Sequence, residues 1–567
     1  MKKRILGMLI AIVLLISISA SCKKEQENDN GDSTETTTGQ DTTTISIDAR
    51  QGQTNETILR TMYTRLSSGT LDSLTPSNNY GMLLPYTGGY EISGTGDFQT
   101  AKYGLVTVEG MIVTDPVYDS AFRAQYYSLY DEVLMPAYLL GINRYDGETI
   151  LFGEKDYAVC ALDGSWITPF GYDGVWFTSN AIIMHRDYET SDIDVYDYDG
   201  RLLYNMKNLD WVADLDTSSP YGLSIRGGTD DYMRAHMIGG TVAVIDIMTG
   251  NCMRTEYLSI DTFSDGLAAV TVQDFATGEQ LVGFINTEFE MVIEPQYRYA
   301  HWFFNEYSVA FSRNQAVYLI DKEGKEILSV DDGYIEQNFD GFGFILYDYE
   351  TGINRYYTSN FVPISMVSQY GHYENTRYVG EGWYFSECYD NVMRPSNGVA
   401  ETEEYSYIGK VLHRAGEEHL FTDIWSISQV IGDYVVYMCE MEYTGESVGN
   451  PQISAQGGID YFTGVMTISG VEIVSPERGT LISVVVEDGE VIAFIENTAT
   501  ASFNIGGTGL IDADTGFRIF GTDGRIIAQG PGMAAYERIA GVYSVLAEDI
   551  FCYLDIDGNV IIGIPLN

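Results

Sequence analysis

One unit recurs down this chain and constrains its fold more than any other feature: a short apolar strand, a tight turn carrying Asp, Glu or Asn with Gly, and a second apolar strand. Ala316-Val-Tyr-Leu-Ile-Asp-Lys-Glu-Gly324-Lys-Glu-Ile-Leu is the cleanest copy, and Tyr157 to Gly164, Asp194 to Gly200, Val242 to Gly250 and Tyr553 to Gly558 repeat it. Each reads as a hairpin, because Gly supplies positive φ, Asp and Asn tolerate that region, and the flanks are β-branched or aromatic. Turn positions fall at 110, 164, 200, 250, 289, 324 and 360, then at 489, 524 and 558. From 289 to 360 the spacings are 35 and 36, and over the last three they are 35 and 34. Phe289 and Asn360 are degenerate copies that keep the phase. A period near 35 with irregular insertions marks a repeat array. No long amphipathic helix pattern interrupts it; Glu56 to Leu66 reads as one short helix.

Each unit offers three or four strands, as in 266–272, 281–286 and 290–293, and none covers its own apolar face. Stacking successive units buries it. Closing the stack leaves only short, protected edges, so the expected fold is an all-β tandem array of β-propeller type, with an open β-solenoid superhelix as the alternative. Seven turn positions precede residue 365, which suits one propeller. Residues 366–480 obscure the period, with a Tyr/Gly-rich stretch near Gly380 to Gly398. The body therefore divides into an array over 45–365 and a divergent continuation or second array over 366–567.

The fullest unit reads Phe263-Ser-Asp-Gly266-Leu-Ala-Ala-Val270, then Val282-Gly283-Phe-Ile-Asn, then Met291-Val-Ile-Glu-Pro295-Gln-Tyr297. It resembles the bacterial WG (KWG) repeat, in which a D/E-G-L-A-x-V strand leads to W-G-hydrophobic-I-D and V-I-x-P-x-Y-D. Lys102-Tyr103-Gly104-Leu105 followed by Pro116-Val-Tyr118-Asp119 fits the same template, and Phe339-Asp340-Gly341-Phe342 resembles the strand entry. No Trp-Gly pair occurs anywhere in the chain. The resemblance implies an all-β repeat protein and carries over no catalytic residue.

The N-terminus points to export. Lys2, Lys3 and Arg4 precede an apolar run from Ile5 to Ile18, then Ser19-Ala20-Ser21 and Cys22. That order is an export signal, too short for a spanning helix. A cysteine after small residues resembles a bacterial lipoprotein signal, which implies removal of 1–21 and diacylation of Cys22; Ser19 stands where that family usually has an aliphatic residue. Lys23 to Thr44 contains no aliphatic or aromatic side chain, so 22–44 is expected to form a disordered polar tether. Its mean reach is roughly 25 Å. Two acyl chains give a lasting hold on a membrane where one does not.

Charge narrows the partners. Against 31 Lys+Arg stand 81 Asp+Glu, for a net charge of −50. Such a surface repels phosphates, which excludes nucleic acid and anionic headgroups as partners of the body. Cys160, Cys252, Cys388, Cys439 and Cys552 are widely spaced without a C-x-x-C, and most sit in strand-like apolar runs as small hydrophobes. The six histidines form no zinc spacing, and in the Asp-rich turns a strand residue, Val195 or Tyr553, stands where a calcium loop needs its first oxygen ligand. No metal or cofactor is expected. No nucleophile elbow, phosphate-binding loop or zinc-protease motif occurs, and no carboxylate pair stands out.

Tyrosine is over-used, with 43 copies. Tyr126 and Tyr127, Tyr297 and Tyr299 with Trp302, and Tyr356 with Tyr357 are the candidate ligand-binding residues, since rings with polar tips suit carbohydrate or peptide surfaces. Cross-strand packing is the competing role. The expected function is an exported, lipid-anchored, non-enzymatic scaffold binding protein or glycan at the bacterial cell surface. The alternative is a propeller-type glycan hydrolase with paired carboxylates in the central channel.

Overall fold

The computed structural model describes residues 57–566 apart from 67–70, 93–97, 101, 128–131, 147–148, 188–191, 207–222, 225–231, 275, 314–315, 339–342, 351, 367–368, 390–406, 442–459, 479 and 499–515. The signal, the Cys22 lipidation site and the tether lie outside the described residues. Those residues form strands and turns and contain no helix. Eleven antiparallel sheets of three or four strands follow one another in sequence, with one extra two-stranded hairpin, Tyr90–Ile92 with Phe98–Thr100. The sheets are the blades of a closed β-propeller, numbered here from 1 (strands within 64–112) to 11 (533–565).

Why the sheets stack is visible in the core. Each of the eleven seams between neighbouring blades holds its own apolar cluster, including the seam between blades 11 and 1. Between blades 5 and 6, for example, Phe284, Ile293 and Tyr297 meet Phe303, Ala310 and Ile320. At 11/1, Tyr553, Ile562 and Ile564 meet Leu84, Tyr86 and Val106. That last cluster excludes the open solenoid. Burying one such side chain contributes about 1.5–3 kcal/mol, so a blade without neighbours loses most of its stabilisation. First strands of adjacent blades approach one another at 2/3 and 8/9, as the inner strands of a ring must.

The turn signal marks one position in every blade, the link between third and fourth strands. Gly110, Gly164, Gly200, Gly250, Phe289, Gly324, Phe361, Gly416, Gly470, Gly524 and Gly558 occupy it, all with positive φ. In blade 6 the Gly324 amide donates to the Asp321 carbonyl at 2.9 Å. The Asp321 carboxylate accepts from the amides of Glu323 and Lys325 at 3.2 and 2.8 Å. Asp197 and Asp555 bind their own turns in the same way. Acidic residues at these turns are thus engaged by backbone N–H groups. Among the described residues no group of three or more His, Cys, Asp or Glu could hold a metal ion.

Two sequence expectations change. Residues 57–66 are not helical: Met62 bridges Gly563 of blade 11 and Thr64–Arg65 runs parallel to Met111–Ile112 of blade 1, so this segment straps the closing seam from outside. Gly489 joins the first two strands of blade 10 and is out of phase with the other turns. The ring also continues past residue 365, through blades whose second-to-third-strand connections are long (390–406, 442–459 and 499–515). Gly416 and Gly470 keep the turn there while the insertions hide the period. Of the cysteines, Cys160, Cys388, Cys439 and Cys552 are buried and Cys252 is exposed, all as free thiols.

Two breaks in the pattern matter later. Blade 7 has three strands, its fourth reduced to a bridge between Tyr357 and Pro363, and the 7/8 seam buries only Ile345 and Tyr384 among the described residues. Among the described residues blade 1 has no innermost strand: its sheet ends on Leu83–Thr87. Leu105 turns its backbone toward the outer strand, so its partner Pro85 faces the channel side, as does Leu83. The Leu83 carbonyl accepts from the Tyr138 hydroxyl of blade 2 at 2.9 Å, and the Pro85 carbonyl accepts from Tyr553 of blade 11 at 2.6 Å. Proline has no N–H to leave unpaired, the Leu83 amide donates to the Leu162 carbonyl of blade 2 at 2.7 Å, and the two tyrosines answer the carbonyls.

Two measurements test this account. Gly558→Ala combines a φ of +82° with a Cβ only 2.8 Å from the Ile527 carbonyl of blade 10, whereas Gly489→Ala has a φ of +83° and open space. Chemical denaturation should show a loss of about 1–2 kcal/mol for Gly489→Ala, from φ alone, and a clearly larger loss for Gly558→Ala. Burial lowers the imidazoles of His185 and His413 from 6.5 to about 4. His413 stacks on Tyr373 at 4.0 Å and bonds Ser386 at 2.8 Å. Because the unfolded chain takes up these protons first, stability is full above pH 6.5 and falls toward pH 4, by up to roughly 3 kcal/mol per histidine. Thermal melts of His413→Phe should therefore gain on the parent protein as pH falls through that window.

Candidate ligand-binding face

The sequence-selected aromatics separate once their strands are placed. Tyr297 is buried in the 5/6 seam. Tyr126 is half-buried against the 2/3 cluster, and Tyr127 ends the strand Ser120–Tyr127 with its side chain outside the described residues. Trp302 sits in the loop between the first two strands of blade 6, where its carbonyl accepts from Gln337 at 3.4 Å. Neighbours in a strand point to opposite faces, so Tyr357 packs in the 6/7 seam, stacked on Phe361 at 4.5 Å, while Tyr356 turns toward blade 8. Only Tyr299, 54% exposed, is strongly presented to solvent.

Tyr299 begins a continuous band of rings. In blade 6 it lies directly opposite Phe311, with centroids 5.6 Å apart, and His301 edges onto it at 5.2 Å. Phe311 meets Tyr334, on the innermost strand of blade 7, at 6.2 Å, and Tyr334 meets its cross-strand partner Tyr347 at 6.2 Å. The Tyr347 hydroxyl donates to Glu336 at 2.7 Å, and Tyr356 shares that face of the blade through Ile345. Tyr349 follows at the strand's end, 65% exposed. Tyr334, His301, Phe311 and Tyr347 are each half-buried.

These rings gather because the blades stack. Tyr299 and Tyr334 open the first strands of consecutive blades, while Phe311 and Tyr347 lie at or near the ends of the second strands, so all four lie at the same end of the ring. Burial, then the Glu336 contact, raises the Tyr347 hydroxyl well above its ordinary value, and burial raises Tyr334. Burial also lowers the His301 imidazole. Tyr334, Tyr347 and His301 are therefore uncharged at pH 7, and the band offers hydrogen-bond donors on ring edges, π faces half open, and the Glu336 carboxyl as an acceptor. Such a surface stacks on the C–H faces of a sugar or on peptide side chains. The sequence marked Tyr299 and Tyr356; Phe311, Tyr334 and Tyr347 carry no local signal, since their neighbours come from another strand or blade.

Buried carboxylates occur elsewhere. Burial pushes Glu496 up and Arg518 pulls it back; Arg518 also holds Glu477 at 2.7 Å. Glu496 has no exposed surface, so this triad ties blades 9 and 10 and offers no access to substrate. Asp194, 1% exposed, is held by Tyr172 at 2.6 Å and by Arg186.

No curated protein matches the chain. Among solved structures, a eukaryotic initiation factor shares 10% identity at a TM-score of 0.32, over 72% of this chain and 96% of that one. PorZ, an essential bacterial surface component of the type-IX secretion system of Porphyromonas gingivalis, shares 9% at 0.22, over 78% and 58%. BamB from Moraxella catarrhalis shares 10% at 0.22, over 45% and 76%. Residues 283–311, which run from the third strand of blade 5 through the second of blade 6, match the WG containing repeat, so this stretch of the ring is a WG repeat.

Proposed function

We propose that this protein is an exported, lipid-anchored binding scaffold that captures a glycan or protein at the bacterial cell surface without catalysing a reaction on it. The observation that carries the reading is the half-open band from Tyr299 to Tyr347 on blades 6 and 7. A rigid ring supplies the platform, the acyl chains on Cys22 the attachment, and the polar segment to Thr44 the reach. A net charge of −50 disfavours polyanions and leaves neutral glycans and basic or neutral peptide segments as the fitting ligands. The hydrolase alternative needs two accessible carboxylates across a cleft. The buried Glu496, locked between Arg518 and blade 9, does not supply one.

Glycan-array and peptide-array binding of the mature protein tests the reading. Tyr299→Ala and Tyr334→Ala should each weaken the captured ligand roughly tenfold, since stacked aromatics act as hot spots, while Tm stays nearly unchanged. Equal binding by both variants rejects the band as the site. Cys22→Ser should move the protein from the membrane pellet to the soluble extracytoplasmic fraction and abolish metabolic labelling with palmitate. Retention in the pellet overturns the anchor.

A further inference from the structure

The missing innermost strand of blade 1 leaves a notch between blades 2 and 11, and its walls carry side chains that the ring itself does not use. On the blade 2 wall, Arg123 lies directly opposite Tyr138 in the sheet, so the two side chains share a face. Tyr138 belongs to the 1/2 seam cluster, which sets that face toward blade 1. The Arg123 Nε and Nη1 atoms are buried and meet no hydrogen-bond acceptor. The Tyr138 hydroxyl, which donates to the Leu83 carbonyl, also accepts from the guanidinium, and this leaves Nε and Nη1 to be answered.

On the blade 11 wall, Glu537 lies opposite Val542, a member of the 11/1 cluster, and accepts from the Ser544 hydroxyl at 3.1 Å. Tyr553, directly opposite Ser544, reaches the Pro85 carbonyl between the two walls. Tyr138 and Tyr553 both lie within electrostatic range of Glu537. Arg123 and Glu537 form no ion pair with each other. The notch therefore has a cation on one side, a carboxyl with a serine hydroxyl on the other, and a proline-edged floor.

An arginine with buried, unanswered N–H groups is costly in a protein with 81 acidic residues available to pair with it. Elsewhere the chain answers such groups: Arg144 is held by Asp156 and Asp173, and the buried Arg234 donates to the Ile260 and Asp261 carbonyls. We propose that the notch is a binding site for a small carboxylate-bearing ligand, whose carboxylate completes Arg123 in the space left by the absent strand of blade 1. A singly charged carboxylate fits better than phosphate, because a dianion would meet both Glu537 and the −50 field of the molecule. Charge-assisted hydrogen bonds to guanidinium supply the recognition.

The test is titration of the mature protein with sodium acetate, glycine and inorganic phosphate at matched ionic strength, by calorimetry and ligand-observed NMR. Acetate or glycine should bind more tightly than phosphate, and Arg123→Gln should weaken that binding by about tenfold or more. Arg123→Met, in ligand-free protein, should raise Tm, because it removes an unpaired buried charge. Phosphate binding as tightly as acetate, unchanged affinity in Arg123→Gln, or absence of carboxylate binding would each overturn the assignment. A fall in Tm on Arg123→Met would do so independently, by showing that the guanidinium is needed by the fold. The aromatic band stands or fails separately, since neither Tyr299→Ala nor Tyr334→Ala touches this notch.

Discussion

Everything in this molecule depends on apolar faces that no blade can cover alone. A sheet of three or four short strands has two sides, and here both carry Val, Ile, Leu, Phe and Tyr. Stacking buries one side against the blade before and the other against the blade after. A stack with ends would leave two faces wet, and the 11/1 cluster shows how that is avoided. The strap at 57–66 adds backbone pairing across the same closing seam, from Thr57 on Gln529 of blade 10 to Leu66 on Ile112 of blade 1. Closure by side-chain burial at all eleven seams explains why sequence identity between copies can decay so far: a seam asks for apolar residues of fitting size at alternating positions, and many sequences supply them.

The turn is the part of the repeat that cannot drift, and it was the part most legible in the chain. Gly324 needs its positive φ, and a Cβ there would meet Ile293 of blade 5 at 3.1 Å. Positive φ is met by a glycine in nine of eleven blades, with a close approach added at Gly164, Gly200, Gly250, Gly324, Gly524 and Gly558, while Phe289 and Phe361 hold the same conformation at the remaining two. The turn of blade 7 read from the sequence as Asn360 is centred one residue later. What the sequence hid lies where insertions separate second and third strands, and Gly489 shows the reverse failure, a strong Asp-Gly hairpin signal in the wrong phase. The aromatic candidates were legible only as types. Parity within one strand could have sent Tyr356 and Tyr357 to opposite faces, but nothing local could join Phe311 to Tyr334 across a seam.

Charge is distributed by the same logic. With 31 basic residues for 81 acidic ones, cations are scarce, and several of them act as ties. Arg144 links the second strand of blade 2 to Asp173 at the entry to blade 3, and Arg313 reaches from blade 6 to Asp274 and Glu279 of blade 5. The exposed ties contribute little each. The net charge of −50 sets mutual repulsion against association through exposed side chains such as Tyr349, Leu481 and Ile238.

The two surfaces suited to ligands stand where the repeat is broken. Blade 7 lost most of its outer strand and has the thinnest seam, and it carries Tyr334 and Tyr347 of the aromatic band that begins on blade 6. Blade 1 lost its inner strand, and the gap exposes Arg123 and Glu537 to each other's side of the ring. In a regular blade the seams on both faces are filled by apolar side chains of the neighbouring blades. A departure from the repeat is tolerable only if its loose backbone groups are answered. Tyr138 and Tyr553 do that for Leu83 and Pro85. Arg123, met by the Tyr138 hydroxyl but with Nε and Nη1 still without an acceptor, is the group in that gap which the fold answers only in part, and that distinction separates a structural repair from a binding site.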